Sequence, residues 1–375
     1  MKKLCFVVSS PATALAFLKG PMQTLSKYYT LHLIVNTKDV RPLLAELPLK
    51  GVHVQKIERG INPLKDLNCL ISMVRFLRKQ QFDALHSVSP KAGFMAMLGG
   101  LIANIPLRTH TFTGQVWANK KGLFRFLLKS MDRLIAGCAT QVLVDGKSQL
   151  RYLKEHGVIN PAAQVLGKGS ICGVSLTRFK PSVSLREERR KKLKLEENEW
   201  VFMFLGRLNH DKGVIDLIHA FEQLDQSKKP SSLFLVGDDE EQIKTHFQPT
   251  SSKIHFIPFE KNPEELLQAC DSFCLPSYRE GFGLSVIEAS ALEKPIICSD
   301  AYGLADTIVQ GETGLRHGVG DVDDLKQKLT YALNHREELR AMGKAGRKYV
   351  EANFSEKRLL EEWESFYKKQ LSYKR

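Results

Sequence analysis

The stretch SYREGFGLSVIEA, residues 277–289, sets two carboxylates, Glu280 and Glu288, around a Gly281-Phe282-Gly283 turn. The turn reads as the opening of a helix that begins near Leu284 or Ser285. Such a helix start attracts anions, because its first backbone N–H groups have no partners in the helix and the dipole adds positive potential there. Two acids beside a phosphate seat serve neutral hydroxyls, as acceptors of their hydrogen bonds. Upstream, GRLNHDKG (206–213) adds Arg207 and Lys212, two cations that can join the same anion seat. The acids of LVGDDEE (235–241) suit a hard cation. A solvated loop is the preferred reading there, since arginine and lysine already supply positive charge, and no metal is expected.

These pieces converge only if each follows a parallel strand of one sheet. The first half alternates β-rich runs with helical patterns: LCFVV (4–8), TLHLIV (30–35), HVQKI (53–57), ALHSV (84–88), RTHTF (108–112) and TQVLV (140–144). Between them NPLKDLNCLISMVRFLRKQQ (62–81) is apolar at helical spacing with a basic outer face. The second half repeats the alternation with WVFMFLG (200–206), SLFLVG (232–237), KIHFIPF (253–259), SFCLPS (272–277) and PIICSD (295–300). This is an α/β chain of two doubly wound, Rossmann-like domains with ligands at the carboxyl ends of their strands. The expected limits are 1–180, 181–354 and a C-terminal helix in 355–375 that crosses back to the first domain. Residues 181–198 read as a linker and a surface helix, whose basic cluster Arg189-Arg190-Lys191-Lys192 is neutralised by adjacent glutamates.

A length of 375 residues suits two domains, and 43% hydrophobic with 26% charged residues is a globular composition. The net charge of +14 is unevenly spread: residues 1–180 hold 26 basic and 8 acidic side chains, the remainder 29 and 33. A basic first half suits a polyanion or an anionic membrane surface. Nucleic acid is the rival partner, but no zinc finger, aromatic RNA-binding signature or basic zipper is present. The seven cysteines lack metal-ligand spacing and read as buried thiols. The opening MKKLCFVVSSPATALAFL could pass for a leader, yet its apolar run breaks at Ser9-Ser10-Pro11 and reads as a first strand. The longest uncharged run, AGFMAMLGGLIANIPL (92–107), is too short and glycine-broken to span a bilayer.

With Pro276-Ser277 before Glu280, a second glutamate at Glu288, and Gly206-Arg207 paired with Lys212-Gly213, the chain resembles the retaining glycosyltransferases of family 4, which have the GT-B fold. The resemblance implies two facing domains with a cleft between them. It implies that Glu280 holds the donor sugar and Glu288 the ribose, while Arg207, Lys212 and the Gly281, Phe282, Gly283 and Leu284 backbone take the diphosphate. The family's habits favour a UDP-sugar, with the base near Phe256 and Pro258. The nucleotide-sugar is a substrate; no cofactor is implied.

FLKGPMQTL (17–25), HSVSPKAG (86–93), HTFTGQVW (110–117) and GKGSICGVSLTRF (167–179) resemble the branch that builds bacterial O-antigen, lipopolysaccharide and capsule. Its members act on polyprenyl-diphosphate-linked glycans at the cytoplasmic face of the membrane. The segment WANKKGLFRFLLKSMDRL (117–134) mixes Trp117, Phe124, Phe126 and Leu127-Leu128 with five basic side chains and reads as a peripheral contact with anionic lipid. Two departures stand out. Thr113 occupies the place where many relatives carry histidine, leaving His110 as the candidate base, and the usual glycine-rich first loop is Ser9-Ser10-Pro11-Ala12-Thr13. A retaining transfer can use the leaving phosphate as base. Two other readings stay open: a sugar-nucleotide epimerase or hydrolase of this fold, and an inactive glycan- or membrane-binding subunit.

Overall fold

The computed structural model describes residues 1–58, 60, 62–225, 229–247 and 249–372. It forms two compact units, Met1–Gly173 with the chain from Glu356 onward, and Val174–Ser355.

The first unit is built on seven strands: β1 (Lys3–Val8), β2 (Thr30–Val35), β3 (Gly51–Val54), β4 (Ala84–Val88), β5 (Leu107–Phe112), β6 (Gln141–Val144) and β7 (Gln164–Val165). Every pairing is parallel, in the order β3-β2-β1-β4-β5-β6-β7. The apolar run of β1 is what burial on both faces demands. Cys5 and Val7 enter a core with Met73, Leu77 and Met95, while Leu4, Phe6 and Val8 enter another with Leu18, Met22, Trp363 and Tyr367. The helix Glu356–Ser372 thus belongs to the first core. Trp363 Nε1 donates to Ile171 O at 3.0 Å, and the Tyr367 hydroxyl meets His86 Nδ1 at 2.6 Å. Burial pushes the His86 pKa down to about 3, which keeps the imidazole neutral for this bond.

The second unit has six parallel strands, β8 (Trp200–Leu205), β9 (Ser231–Val236), β10 (Ile254–Ile257), β11 (Ser272–Leu275), β12 (Ile296–Ser299) and β13 (Gly314–His317), ordered β10-β9-β8-β11-β12-β13. Val174 and Phe179 pack into its core, so the second unit begins before residue 181.

Several local expectations need correction. β3 lies earlier than HVQKI, and both β7 and β13 were unforeseen. The basic cluster of the Val183–Lys192 helix is neutralised from a distance: Arg190 reaches Asp271 at 3.0 Å and Arg189 pairs with Glu265, rather than chiefly with its neighbours. Trp117 does not face lipid. It is 1% exposed, donates Nε1–H to Asp132 at 2.7 Å and stacks on Tyr152, with Arg125 and Lys129 folded over its ring. Leu128 is buried too. No disulfide joins the seven cysteines; six are buried, as expected, and Cys172 is partly exposed. Among the described residues no helix is long and apolar enough to cross a membrane.

Candidate functional site

The site in the second unit begins where β8 and β9 end. At Gly237, with φ +144°, a Cβ would lie 1.9 Å from Gly206 O, so the two strand ends touch through glycine. The chain then turns through Asn209, whose side-chain oxygen accepts from Lys212 N at 3.1 Å and caps the short His210–Lys212 helix. Gly213 closes the turn at φ +69°, where a Cβ would stand 2.2 Å from Pro276 O. That contact presses the 206–213 loop against the segment after β11.

The result is a three-residue knot. Lys212 Nζ pairs with Glu280 Oε1, and Ser277 Oγ donates to the same oxygen at 2.9 Å. The Lys212 and Glu280 side chains are only 19% and 12% exposed, so charge compensation here is strong. Arg279 clamps Asp211 at 2.6 Å, and Tyr278 stacks on His210 at 5.1 Å. Both contacts tie the two loops further together. Arg207, half-exposed, bonds Glu240 at 3.0 Å, and Asn209 Nδ2 reaches the same carboxylate at 2.9 Å. The acids of 237–241 are therefore not simply solvated. Asp239 accepts from Ile243 N at 2.7 Å, and Glu241 from His210 N at 2.8 Å. Among the described residues no cluster of metal-ligating side chains occurs.

The Gly281-Phe282-Gly283 turn is held from below. Phe282 is buried edge-on against Phe354, so it offers a ligand its backbone and not its ring. Gly283, at φ +75°, is the N-cap of the Leu284–Ala291 helix and makes no side-chain cap. The helix also has no acid in its first turn. It thus presents its amide groups uncompensated, the feature that suits an anion. One turn on, Glu288 keeps a sliver of exposure, yet the protein packed around its carboxyl raises its pKa to about 8. Burial is the main cause; Arg178, itself paired with Glu264 at 2.7 Å, opposes it, and Glu264 adds to it. A carboxyl held neutral can donate as well as accept a hydrogen bond. Phe256 is partly buried in β10 and Pro258 is exposed just beyond its end, beside the β9 end through Gly237 N to Ile257 O at 3.0 Å.

His110 belongs to the first unit. It is 1% exposed, bonds Ser87 Oγ through Nδ1 at 2.8 Å, and lies where a Cβ on Gly93 would come within 2.4 Å of its ring. Burial pushes its pKa down to about 3.

Sequence reasoning named Arg207, Lys212, Glu280 and Glu288, and the structure joins Lys212 to Glu280 directly. It placed Glu240 in a solvated loop rather than against Arg207, and it missed Asn209, Arg279 with Asp211, and Arg178. Of these only Asn209 had a readable signal, an N-cap residue three before Lys212.

Two family models cover most of the chain: glycosyl transferases group 1 over residues 186–349, and a glycosyl transferase 4-like domain over 33–169. The chain is 30% identical over 325 residues to a capsular polysaccharide biosynthesis glycosyltransferase, CapM, of Staphylococcus aureus, with 84% of each chain covered. It is 26% identical over 290 residues to the UDP-Gal:α-D-GlcNAc-diphosphoundecaprenol α-1,3-galactosyltransferase of Escherichia coli, covering 75% of this chain and 74% of that one. Its fold matches Anabaena HepE, solved with UDP-glucose, at a TM-score of 0.82 and 18% identity over 98% of this chain and 100% of the other. The chain belongs to the family 4 glycosyltransferases of bacterial surface-polysaccharide synthesis, and it is a glycosyltransferase of the GT-B fold.

Proposed function

We propose that this enzyme transfers a sugar, with retention, from a UDP-sugar to a polyprenyl-diphosphate-linked glycan in capsule or O-antigen assembly, working peripherally at the cytoplasmic membrane face. The observation that carries the proposal is the Lys212–Glu280–Ser277 knot beside the uncapped start of the Leu284–Ala291 helix. The names of the S. aureus and E. coli relatives support the pathway, the donor and the lipid-linked acceptor.

In this mechanism the departing diphosphate gains negative charge as the glycosidic bond breaks. Arg207, Lys212 and the helix amides stabilise it without a metal, because they are fixed before the reaction starts. Lys212 exchanges Glu280 for phosphate, and Glu280, still held by Ser277, accepts from donor-sugar hydroxyls. Glu288 bonds the ribose. The acceptor hydroxyl attacks from the face the phosphate leaves, and a phosphate oxygen takes its proton, so buried His110 need not act as base.

The test is transfer from labelled UDP-sugars to a short-chain polyprenyl-diphosphate glycan. Wild-type turnover with retained anomeric configuration, lost in Glu280→Ala, supports the proposal. Inversion, sugar isomerisation without transfer, or no turnover with any donor would refute it.

A further inference from the structure

Asp145 is the first residue after β6, at the carboxyl edge of the first sheet, where Val142, Leu143 and Val144 run straight into it. It is 5% exposed, and its Oδ1 is buried without a hydrogen-bond partner. Burial alone pushes its pKa up to about 8, with no charged neighbour opposing it.

The backbone of Asp145, by contrast, is fully engaged. Its N–H donates to Gln149 Oε1 at 2.7 Å, and its carbonyl accepts from Ser170 N at 2.6 Å. Gln149, fully buried in the Lys147–Glu155 helix, donates through Nε2 to Gln115 Oε1 at 3.4 Å. Ser170 sits at φ +71°, with Gly167, Gly169 and Gly173 also at positive φ around it. Its Oγ accepts from Gly173 N at 3.1 Å. Uncharged polar side chains from the segments after β5, β6 and β7 thus gather in one buried group with Asp145.

We propose that Asp145 recognises a hydroxyl or acetamido group on the terminal sugar of the acceptor. The inference deepens the acceptor part of the function proposed above and rests on it. Doubly wound units take their ligands outside the carboxyl ends of their strands, which is where Asp145 stands. A buried oxygen without a partner costs free energy, and a leucine of similar shape would pack there without that cost. A ligand hydroxyl supplies the missing bond. The chemistry of the group selects the ligand further. A carboxyl that keeps its proton offers one O–H donor and one C=O acceptor without charge, which matches a sugar and neither a phosphate nor a cation. An ionised carboxylate in the same place would repel the diphosphate that the acceptor also carries. Because Oδ1 is covered, binding includes a shift of the 167–173 turn, which its glycines permit.

The test is calorimetric titration of the full chain with farnesyl diphosphate, either bare or bearing N-acetylglucosamine, N-acetylgalactosamine or galactose. The wild type should bind at least one sugar-bearing lipid about tenfold or more tightly than the bare one. Asp145→Leu should lose that preference and bind all four lipids alike. Asp145→Asn, which keeps a donor and an acceptor, should retain it. In the wild type the preference should fall as pH rises through about 8, where the carboxyl ionises, and it should stay level in Asp145→Asn. Gln115, Gln149 and Ser170 carry no charge, and Lys147 and Lys168 on the same segments are exposed, so Asp145 is the group that titrates. Asp145→Leu should melt no lower than wild type, since it removes an unpartnered polar atom. A lower melting temperature with equal loss of affinity for all four lipids would mark Asp145 as structural and overturn the inference. So would wild-type binding without a sugar preference, or a preference that Asp145→Leu retains. Sugar-dependent binding without glycosyl transfer would defeat the functional proposal and leave the recognition by Asp145 standing.

Discussion

Removing the Lys212 ammonium tests how the site is held before any substrate arrives. The Lys212→Met variant leaves the Glu280 carboxylate 12% exposed with Ser277 as its remaining bonded partner. Breaking one side of a fully buried ion pair costs about 3–5 kcal/mol, and the residual exposure here reduces that to about 2–3. For a unit of this size each kcal/mol moves the melting temperature by about 2–4 °C, so a fall of roughly 5–10 °C is expected. Glu280→Gln should cost less than about 1 kcal/mol, because the lysine can swing its ammonium to water on a flexible stem. The double variant should recover much of the loss, with a coupling energy of about 1–2 kcal/mol. Calorimetry on the full chain and its three variants gives these numbers. A Lys212→Met shift within about 1 °C of wild type, or a coupling below about 0.5 kcal/mol, would refute the view that this pair is strongly desolvated.

Three further outcomes are expected. In Glu288 the native carboxyl keeps its proton up to about pH 8, whereas an unfolded glutamate loses it near 4.5. The native state therefore binds more protons across that window, and stability falls as pH rises through it. Glu288→Gln should remove this loss, melting like wild type near about pH 5 and above it near about pH 8, while weakening nucleotide binding at both; melting curves at the two pH values check it. Gly213→Ala should destabilise by at least about 1–3 kcal/mol, since it adds a Cβ at positive φ against Pro276 O, and denaturant titration reads the change. Tyr367→Phe should cost about 1–3 kcal/mol by leaving His86 Nδ1 without its bond, seen as earlier unfolding of the first unit by hydrogen exchange.

The parts of this account legible in the sequence are those written in contiguous residues. Long apolar runs such as LCFVV and WVFMFL announce strands buried on both faces, and Glu280, Gly283 and Glu288 lie in one short motif. β13 escaped notice because GLRH is a four-residue edge strand carrying arginine and histidine. β3 was displaced because Gln55 and Lys56 continue the alternation after the pairing has ended. The site's internal bonds were hidden for another reason: Arg207 to Glu240 spans 33 residues and Lys212 to Glu280 spans 68, distances over which no local pattern operates. Trp117 reads as a lipid anchor in the sequence because an indole near phenylalanines and lysines has that composition. Only the fold brings Asp132 to its N–H.

The most direct test of the central claim, that residues 206–213 and 280–288 form a nucleoside-diphosphate site, is the melting temperature with UDP, GDP, ADP or NAD at about 1 mM each. A ligand at a hundred times its dissociation constant adds about 2.7 kcal/mol, which is easily seen. The account predicts stabilisation by UDP that shrinks in Glu288→Gln and disappears in Lys212→Met, each measured against its own ligand-free baseline. Stabilisation by NAD alone, or by none of the four, would contradict it.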